Sequence, residues 1–557
     1  MKSPRFNLTF ISLAVLVCAS AHAQPKPDAG QISRDLQQQP ELATPKVVAP
    51  LRIEGQAVPQ GARATDVRFA VKSIRVSGSH VLPPSELEAL VANLSGAEQS
   101  LAELTEGAAR ITAYYRERGF VVARAYLPAQ DIKDGVLVIA VLEGVLSQQS
   151  LSNKSRLPDA QANRYLAAVK TGDPINADQV SRALLLLADT PGVGGVRAAL
   201  QPGASVGTTD LLVELDPAQA YLANLEVDNY GNRYTGEYRT GAAVGLNNPF
   251  NLGDLLSLRA ITSGDLMSYA RLAYQLPVGG SGLKLGVAYS DTRYKLGEEF
   301  AALQAHGTAS STSLYATYPF VRSQSSNLWG TLTWEDKKLA DQTDVPVSSV
   351  DKQVQLVTLG LAGSRPDALL GGGLTAFDMA LTSGNLTMDA SSLARDTAVG
   401  SANSNGTFSK LAYSLSRQQR VCDNYSVLLA LSGQQASKNL NSSEKFSLGG
   451  ANGVRAYPQG EASGDQGMLL NLEARRNLSE RLQAVVFYDA GSVDINRNAF
   501  AAGDNTRSIA GAGFGLNGQI SKLQFRTSVA WRTRGGDPVS DTANHNPRWW
   551  LQVSLPL

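Results

Sequence analysis

From about Tyr221 to Leu557 the chain alternates. Apolar and polar side chains exchange places in segments of roughly ten residues, punctuated by Gly, Asn, Asp and Ser. At the end of the sequence Trp549, Leu551, Val553, Leu555 and Leu557 share one face of an extended strand, and Gln552 and Ser554 take the other. In MLLNLEARR, Leu470, Leu472 and Ala474 oppose Asn471, Glu473 and Arg475. In GAGFGLNG, Gly511, Gly513 and Gly515 oppose Ala512, Phe514 and Leu516. A period of two with no long helical period predicts strands that are each apolar on one side. Apolar residues outward and polar residues inward is the dyad of a transmembrane β-barrel. About 340 residues, at roughly 20 per strand and connection, predict an even number of antiparallel strands near 16. A soluble β-sandwich is the competing reading of the same alternation.

Upstream the period changes. FAVKSIRV (69–76) reads as a strand turned by Gly78 and Ser79. Ser85-x-x-Glu88 has the form of a capping box, opening a helix with Leu87, Leu90, Val91 and Leu94 apolar. Leu101, Leu104, Ala108, Ile111 and Tyr115 make a second helical stripe, stopped by Gly119. Strands follow at 121–128 and 135–144, so residues 67–146 read as a β-α-α-β-β module, a small α/β sandwich. A similar order follows in 147–218, with helices at 158–169 and 176–188 and strands at 191–200 and 208–216.

The segment DAGQISRDLQQQ (28–39) reads as a short polar helix, with Asp28 to cap it and Pro40 to end it. Ile32 and Leu36 make only a thin i, i+4 stripe, too narrow for a packed core. A frayed terminus and a helix resting in a water-filled cavity both fit. Pro45, Pro50 and Pro59, without periodicity, make 41–66 an extended linker. Before that, Lys2 and Arg5, the apolar run 8–19 and the Ala21-His22-Ala23 site form a signal peptide over 1–23, with the mature chain expected from Gln24. The run is too short for a spanning helix, which needs about 20 residues. A lipoprotein reading of Cys18 fits poorly, because Val17 stands where a small residue is expected. Cleavage leaves Cys422 alone, so no intrachain disulfide is expected.

Charge adds an exclusion. Lys plus Arg is 50 and Asp plus Glu is 49, a net +1 that gives no reason to expect nucleic acid as a partner. Charged residues are 18%, below the roughly 25% usual in soluble domains. His80, His306 and His545 lie far apart and outside any ligand spacing. There is no G-x-S-x-G elbow and no P-loop, and the glycines of 511–518 sit inside an alternating strand. No catalytic site, metal or cofactor is expected.

One long loop interrupts the strands. SLGGANGVRAYPQGEASGDQG (447–467) is too long for a hairpin turn and carries Val454, an isolated Arg455, Ala456 and Tyr457. Downstream, AVVFYDAG (484–491) puts Phe487, Asp489 and Gly491 on one face and Val486 and Tyr488 on the other. Asp489 is expected inward, since charge on the lipid side is costly at depth. A confined inward carboxylate is stabilised by a cation, and arginine offers a planar bidentate fork. Spacing alone leaves two readings open: an Arg455–Asp489 pair, or a solvated loop arginine and one polar lumen group among many.

At these residues the chain resembles a known family. FSLGGANGVRAYPQGEASGDQG (446–467) is similar to the signature loop of the two-partner secretion transporters, the outer-membrane TpsB proteins of FhaC/ShlB/HecB type. FYDAG (487–491) resembles their F-x-D-x-G strand motif. YYRERGFVVARAYLPAQDIKDGVLVIAVLEG (114–144) resembles their first POTRA module and LLLLADTPGVGGVRAALQPGASVGTTDLLVEL (184–215) the second. DNYGNRYTGEYRTGAAVGLNNPFNLGD (228–254) resembles the first barrel hairpin.

The resemblance implies a plug helix within 24–40 carrying Ile32 and Leu36, a linker over 41–66, POTRA domains at 67–146 and 147–218, and a 16-stranded barrel over 219–557. It implies that the loop folds back into the barrel, with Arg455 on Asp489 and with Val454, Tyr457, Phe487 and Gly491 completing a latch. It implies the outer membrane of a Gram-negative bacterium, with the POTRA domains in the periplasm and no enzymatic activity. The partners implied are a secreted exoprotein of adhesin or haemolysin type with an N-terminal secretion domain, outer-membrane lipid and the barrel-assembly machinery. The exoprotein would reach the POTRA domains by adding a strand to a sheet edge. Two positions depart from the family: Ala456 stands where glycine is usual, and Leu557 ends the chain where phenylalanine is common. A barrel-assembly insertase, which usually carries more POTRA repeats, is the alternative. A porin would lack the modules, and an outer-membrane enzyme should show a convergent polar site.

Overall fold

A computed structural model describes residues 26–37, 48–49, 51–54, 68–132, 134–500 and 502–557. The expected signal peptide, Cys18 and most of the linker lie outside the described residues.

The first module is built from β2 (Arg68–Val71), β3 (Ser73–Ser77), α2 (Pro84–Val91), β4 (Ala97–Ser100), α3 (Leu101–Glu117), β5 (Arg124–Tyr126) and β6 (Val136–Leu142); α1 (Ala29–Gln37) and β1 (Arg52–Ile53) precede it. In β6, Leu137, Ile139 and Val141 point inward and meet Leu104, Ala108, Ile111 and Tyr115 of α3. Alternation against a 4-3-4 helical stripe is what seats one helix on one sheet face.

Three details differ from the sequence reading. FAVKSIRV is two strands, β2 and β3, and β2 pairs with β4, which the sequence reading did not find. The Ser85/Glu88 capping box does not form: α2 opens on Pro83 and Pro84 without a side-chain cap, and Glu88 accepts from the Val76 N–H at 3.1 Å. The box is instead Ser100/Glu103 at α3, where each side chain takes the other's backbone N–H.

The second module repeats the design with β7 (Val145–Asn153), α4 (Asp159–Leu166), α5 (Ala177–Ala188), β8 (Val193–Pro202) and β9 (Thr208–Pro217). The shared element is a three-stranded order, β3-β6-β5 in the first module and β7-β9-β8 in the second, in which β3 and β7 run parallel to the central strand and β5 and β8 antiparallel to it; the β2–β4 pair belongs to the first module alone. Asn176 caps α5, whose leucines pack with Leu211, Val213 and Leu215 of β9.

Sixteen strands, from Tyr221–Asp228 to Arg548–Pro556, form a closed antiparallel barrel. Closure is made by the first and last strands in a register running from Asn224 opposite Pro556 to Asp228 opposite Gln552. Leu557 adds an N–H to the Ala223 carbonyl at 2.9 Å. Leu225, Val227, Leu272, Leu314, Leu359, Val486 and Phe514 are exposed on the outer wall. Closure pairs every strand, and an apolar outer wall suits hydrocarbon, which offers no water to a free edge. No described helix is long and apolar enough to cross a membrane.

The second module sits on the near end of the barrel through polar contacts. Arg322 grips Asp189 with Nε to Oδ2 at 2.7 Å and Nη2 to Oδ1 at 2.9 Å. Arg182 donates to the Pro319 carbonyl at 2.6 Å, and Asn248 to the Arg156 carbonyl at 2.7 Å.

Candidate functional site

Two elements occupy the barrel's interior. The first is α1. Asp28 accepts from the Gln31 N–H at 2.9 Å, and the Ala29 N–H reaches Asp341 of the wall at 2.7 Å. Ala29, Ile32 and Leu36 are buried against a cluster that includes Tyr234, Ile261, Tyr294 and Leu339. The sequence reading allowed this helix no packed face. The lumen corrects that, because wall surrounds the helix: Ser33 and Arg34 are buried as well. Arg34 Nη1 lies 3.0 Å from the Ser442 carbonyl, 3.1 Å from that of Lys445 and 3.0 Å from Ser463 Oγ. Asp341 lies in strand Asn327–Asp344 close to its far end, so α1 rests towards the end of the barrel away from the modules.

The second element is the loop between strands Tyr425–Ala436 and Gln466–Ser479. The strand therefore begins inside the 447–467 stretch, at Gln466. The loop's stem is a short pair, Phe446–Ser447 with Ser463–Gly464. Its tip closes with the Val454 N–H on the Leu448 carbonyl at 2.7 Å and the Tyr457 N–H on the Val454 carbonyl at 3.0 Å.

The tip brings Arg455 onto the inner wall. Its Nε and Nη2 reach Asp489 Oδ2 and Oδ1 at 2.8 and 2.7 Å, and its backbone N–H adds a third bond to Oδ2 at 3.2 Å. The remaining Nη1 meets Glu473 Oε1 at 2.8 Å. The guanidinium carbon lies 3.4 Å from the Phe487 ring centroid. A buried cation flanked by two carboxylates and stacked on an aromatic face has its charge and its donors met at once. Asp489 is fully buried, and Asn471 bridges its Oδ1 (2.8 Å) to the Gly453 carbonyl (3.0 Å).

The other expected residues surround this contact. Val454 and Tyr457 are fully buried, and the Tyr457 hydroxyl lies 2.8 Å from the carbonyls of both Arg534 and Gly536. A Cβ on Gly491 would stand 2.6 Å from Leu448 Cδ2, so glycine there makes room for the loop. Opposite Ala456, a Cβ on Gly511 would stand 2.4 Å from the alanine's own Cβ. Ala456 has no positive φ, so alanine in place of the family's glycine carries no backbone strain at the tip. Ile32 and Leu36 belong to a separate cluster from the Arg455 contact.

Several contacts escaped the sequence reading. Glu473 stood on the inward face of MLLNLEARR, where the rule applied to Asp489 also applied. Trp550 Nε1 donates to the Arg455 carbonyl at 2.7 Å. Glu461, fully buried, binds Arg507 at 3.1 Å, the Ser540 N–H at 2.8 Å and Ser540 Oγ at 2.6 Å. Near the stem, Glu444 pairs with Lys337 and Lys410 at 3.0 and 2.8 Å, and Asp465 with Lys445 at 2.8 Å. No sequence pattern marks these partners, because they meet only when the loop turns inward. Among the described residues no cluster of three or more His, Cys, Asp or Glu could hold a metal ion. A cavity of about 570 Å³ remains between helix, loop and wall, lined by Arg34, Asp35, Lys410, Lys445, Asn452 and Gln459 among others.

A closed barrel with charges within, apolar side chains without, and α/β modules at one end has the architecture of the POTRA-bearing β-barrels. The ShlB-type POTRA domain matches residues 69–144, and the haemolysin secretion/activation protein ShlB/FhaC/HecB matches residues 207–518. The heme/hemopexin transporter protein HuxB of Haemophilus influenzae (strain 86-028NP) is 28% identical over 565 residues, 99% of each chain. The outer membrane transporter CdiB of Dickeya dadantii is 24% identical over 410 residues, 72% of this chain and 71% of its own. The solved structure of CdiB from Escherichia coli has the same fold, with a TM-score of 0.73 at 20% identity over 95% of this chain and 96% of that one. The chain belongs to the haemolysin secretion/activation protein family, ShlB/FhaC/HecB.

Proposed function

We propose that this chain is the outer-membrane pore of a two-partner secretion pair, exporting a large exoprotein that carries an N-terminal secretion domain. The POTRA modules face the periplasm and the loop-bearing end of the barrel faces the cell surface. Insertion relies on outer-membrane lipid and the barrel-assembly machinery.

The observation that carries this reading is the filled lumen. A passive porin keeps a water-filled channel. Here α1 occupies the interior through hydrogen bonds from Arg34 to the loop's stem, and the Arg455 loop does so through buried ion pairs. In this reading Val454, Arg455, Tyr457, Phe487, Asp489 and Gly491 form a latch, and α1, through Ile32 and Leu36, is a plug. Both must yield when cargo passes. The modules supply sheet edges to which an unfolded chain can add a strand. Folding of the exoprotein at the surface then biases its movement outward.

The test is co-expression with a large exoprotein that carries an N-terminal secretion domain. That protein should appear in the medium only when this chain is present. Retention in the periplasm beside a correctly inserted barrel would count against secretion, and depletion of other outer-membrane barrels in a knockout would point to assembly.

A further inference from the structure

Residues 535–547 join the last two barrel strands, at the same end as the returning loop. Their inner side covers that loop. The Tyr457 hydroxyl lies 2.8 Å from the Gly536 carbonyl, and the Glu461 carboxylate accepts from the Val539 N–H at 3.1 Å and from the Ser540 N–H at 2.8 Å. Tyr457 and Glu461 are fully buried, while Val539 is exposed. Arg507 of the wall donates to Glu461 and to the Asp537 carbonyl, at 3.1 and 2.8 Å. At its rim the same segment meets Arg233, which follows the first barrel strand. Arg233 donates to Thr542 Oγ1 at 2.9 Å and to Glu298 and Glu299 at 2.9 and 2.8 Å. Glu298 and Glu299 open the helical turn Glu298–Leu303, between strands Leu283–Lys295 and His306–Arg322, and Thr542 donates to Glu299 as well. One guanidinium thus ties three loops of the rim together.

We propose, resting on the secretion reading above, that residues 535–547 are a lid over the returning loop, clasped by Arg233 and joined through Glu461 to the loop beneath. Exit of cargo then needs a third release, at the cell surface, beyond those of α1 and Arg455. The two attachments differ in kind. The side chains of Glu298 and Glu299 are nearly half exposed and that of Arg233 is 21% exposed, so the clasp is a weak, screened contact that cargo pushing from within can open. Glu461 is enclosed, and a buried carboxylate parts from its donors only at a high cost. The lid therefore swings from the Arg233 side and leaves together with the returning loop. Gly535 and Gly536, both at positive φ, form its foot beside strand Leu523–Arg534.

The test staples the clasp. Glu299→Cys and Thr542→Cys, in a Cys422→Ser background, are joined by a short bis-methanethiosulfonate linker that reduction removes. The probe is a large exoprotein with an N-terminal secretion domain, assayed in the medium, with insertion checked by heat-modifiable migration. The stapled chain should lose export, and reduction should restore it to the level of the single-cysteine chains. Arg233→Ala leaves both occupants of the lumen unsubstituted. It should raise the frequency of open events in planar bilayers about three-fold, the size expected of a partly exposed ion pair, and Arg233→Lys should raise it less. Equal export by the stapled and reduced chains, or open events in Arg233→Ala no more frequent than in the unsubstituted chain, overturns the inference and leaves the secretion reading standing. No export by the unsubstituted chain removes the secretion reading, and this inference with it.

Discussion

Arg34 of α1 donates to Ser463 Oγ at 3.0 Å, so the helix in the lumen is fastened to the stem of the returning loop as well as to its neighbours. Gln31 and Asp35 also crowd Gly460 of that loop. The two occupants of the barrel therefore share contacts, and a change at one is felt at the other.

Arg455→Ala leaves Asp489 and Glu473 buried without their shared cation. Breaking one side of a buried pair costs about 3–5 kcal/mol. The barrel wall keeps its ladders, so insertion should be unchanged while export falls ten-fold or more. Arg455→Lys should recover only part, because one ammonium cannot bond two carboxylates and stack on Phe487 as a planar fork does. Export assays with heat-modifiability as the insertion control measure both. Full export by the alanine variant would remove the latch from the mechanism.

Arg34→Ala removes the guanidinium that donates to three acceptors of the loop and its stem. Planar-bilayer recordings should show more frequent open events, about three-fold, with deletion of residues 28–39 setting the upper limit. If that deletion leaves conductance unchanged, the helix does not occlude the pore.

Arg322→Ala should loosen the second module from the barrel. The Arg322–Asp189 pair is largely enclosed and bidentate, and Asp189→Ala should give the same effect with little added in the double variant. A coupling of roughly 1–3 kcal/mol is expected for residues in such contact. Spin-label distances between module and barrel should broaden in either single variant. Unchanged distributions would assign the docking to the neighbouring backbone contacts.

Glu143 ties together the first module. Burial pushes its carboxyl up, but the Val81 and His80 N–H groups and the Tyr115 hydroxyl outweigh this, and the net pKa lies below the ordinary glutamate value. A depressed folded pKa gives stability that is present above about pH 4.3 and lost as pH falls through the folded value. Protection factors at residues 80 and 81, taken relative to the intrinsic exchange rate at each pH, should fall below that pH. Glu143→Gln should lower protection at neutral pH by about 1–2 kcal/mol and flatten the acid response. An unchanged profile would mean that another carboxylate governs the module's acid sensitivity.

The barrel was the most legible part of the chain, because its two walls face different solvents and the strand period records that at every second residue. Trp549 outward and Trp550 inward show the rule at two adjacent positions. Arg455 and Asp489 were each singled out, but their meeting was open. Strand alternation gives the direction of Asp489 and says nothing about where a loop turns. Glu473 could have been found by the same inward-facing rule. Glu461 could not, since its partners at 507 and 539–540 are neighbours only in the folded loop. The Ser85/Glu88 box was misread because Pro83 and Pro84 already set the helix start, leaving Glu88 free for the Val76 N–H. β1 was invisible because two residues carry no period.

The contents of the lumen also bear on the cell that carries this barrel. An outer membrane is useful for what it keeps out, and sixteen strands enclose enough space to pass small solutes when empty. In the plug-and-latch reading proposed above, helix and loop are bound to each other, and leakage at rest is set by their joint departure. Cells carrying a chain that lacks residues 28–39 should therefore become sensitive to bulky antibiotics and detergents even when they have nothing to secrete.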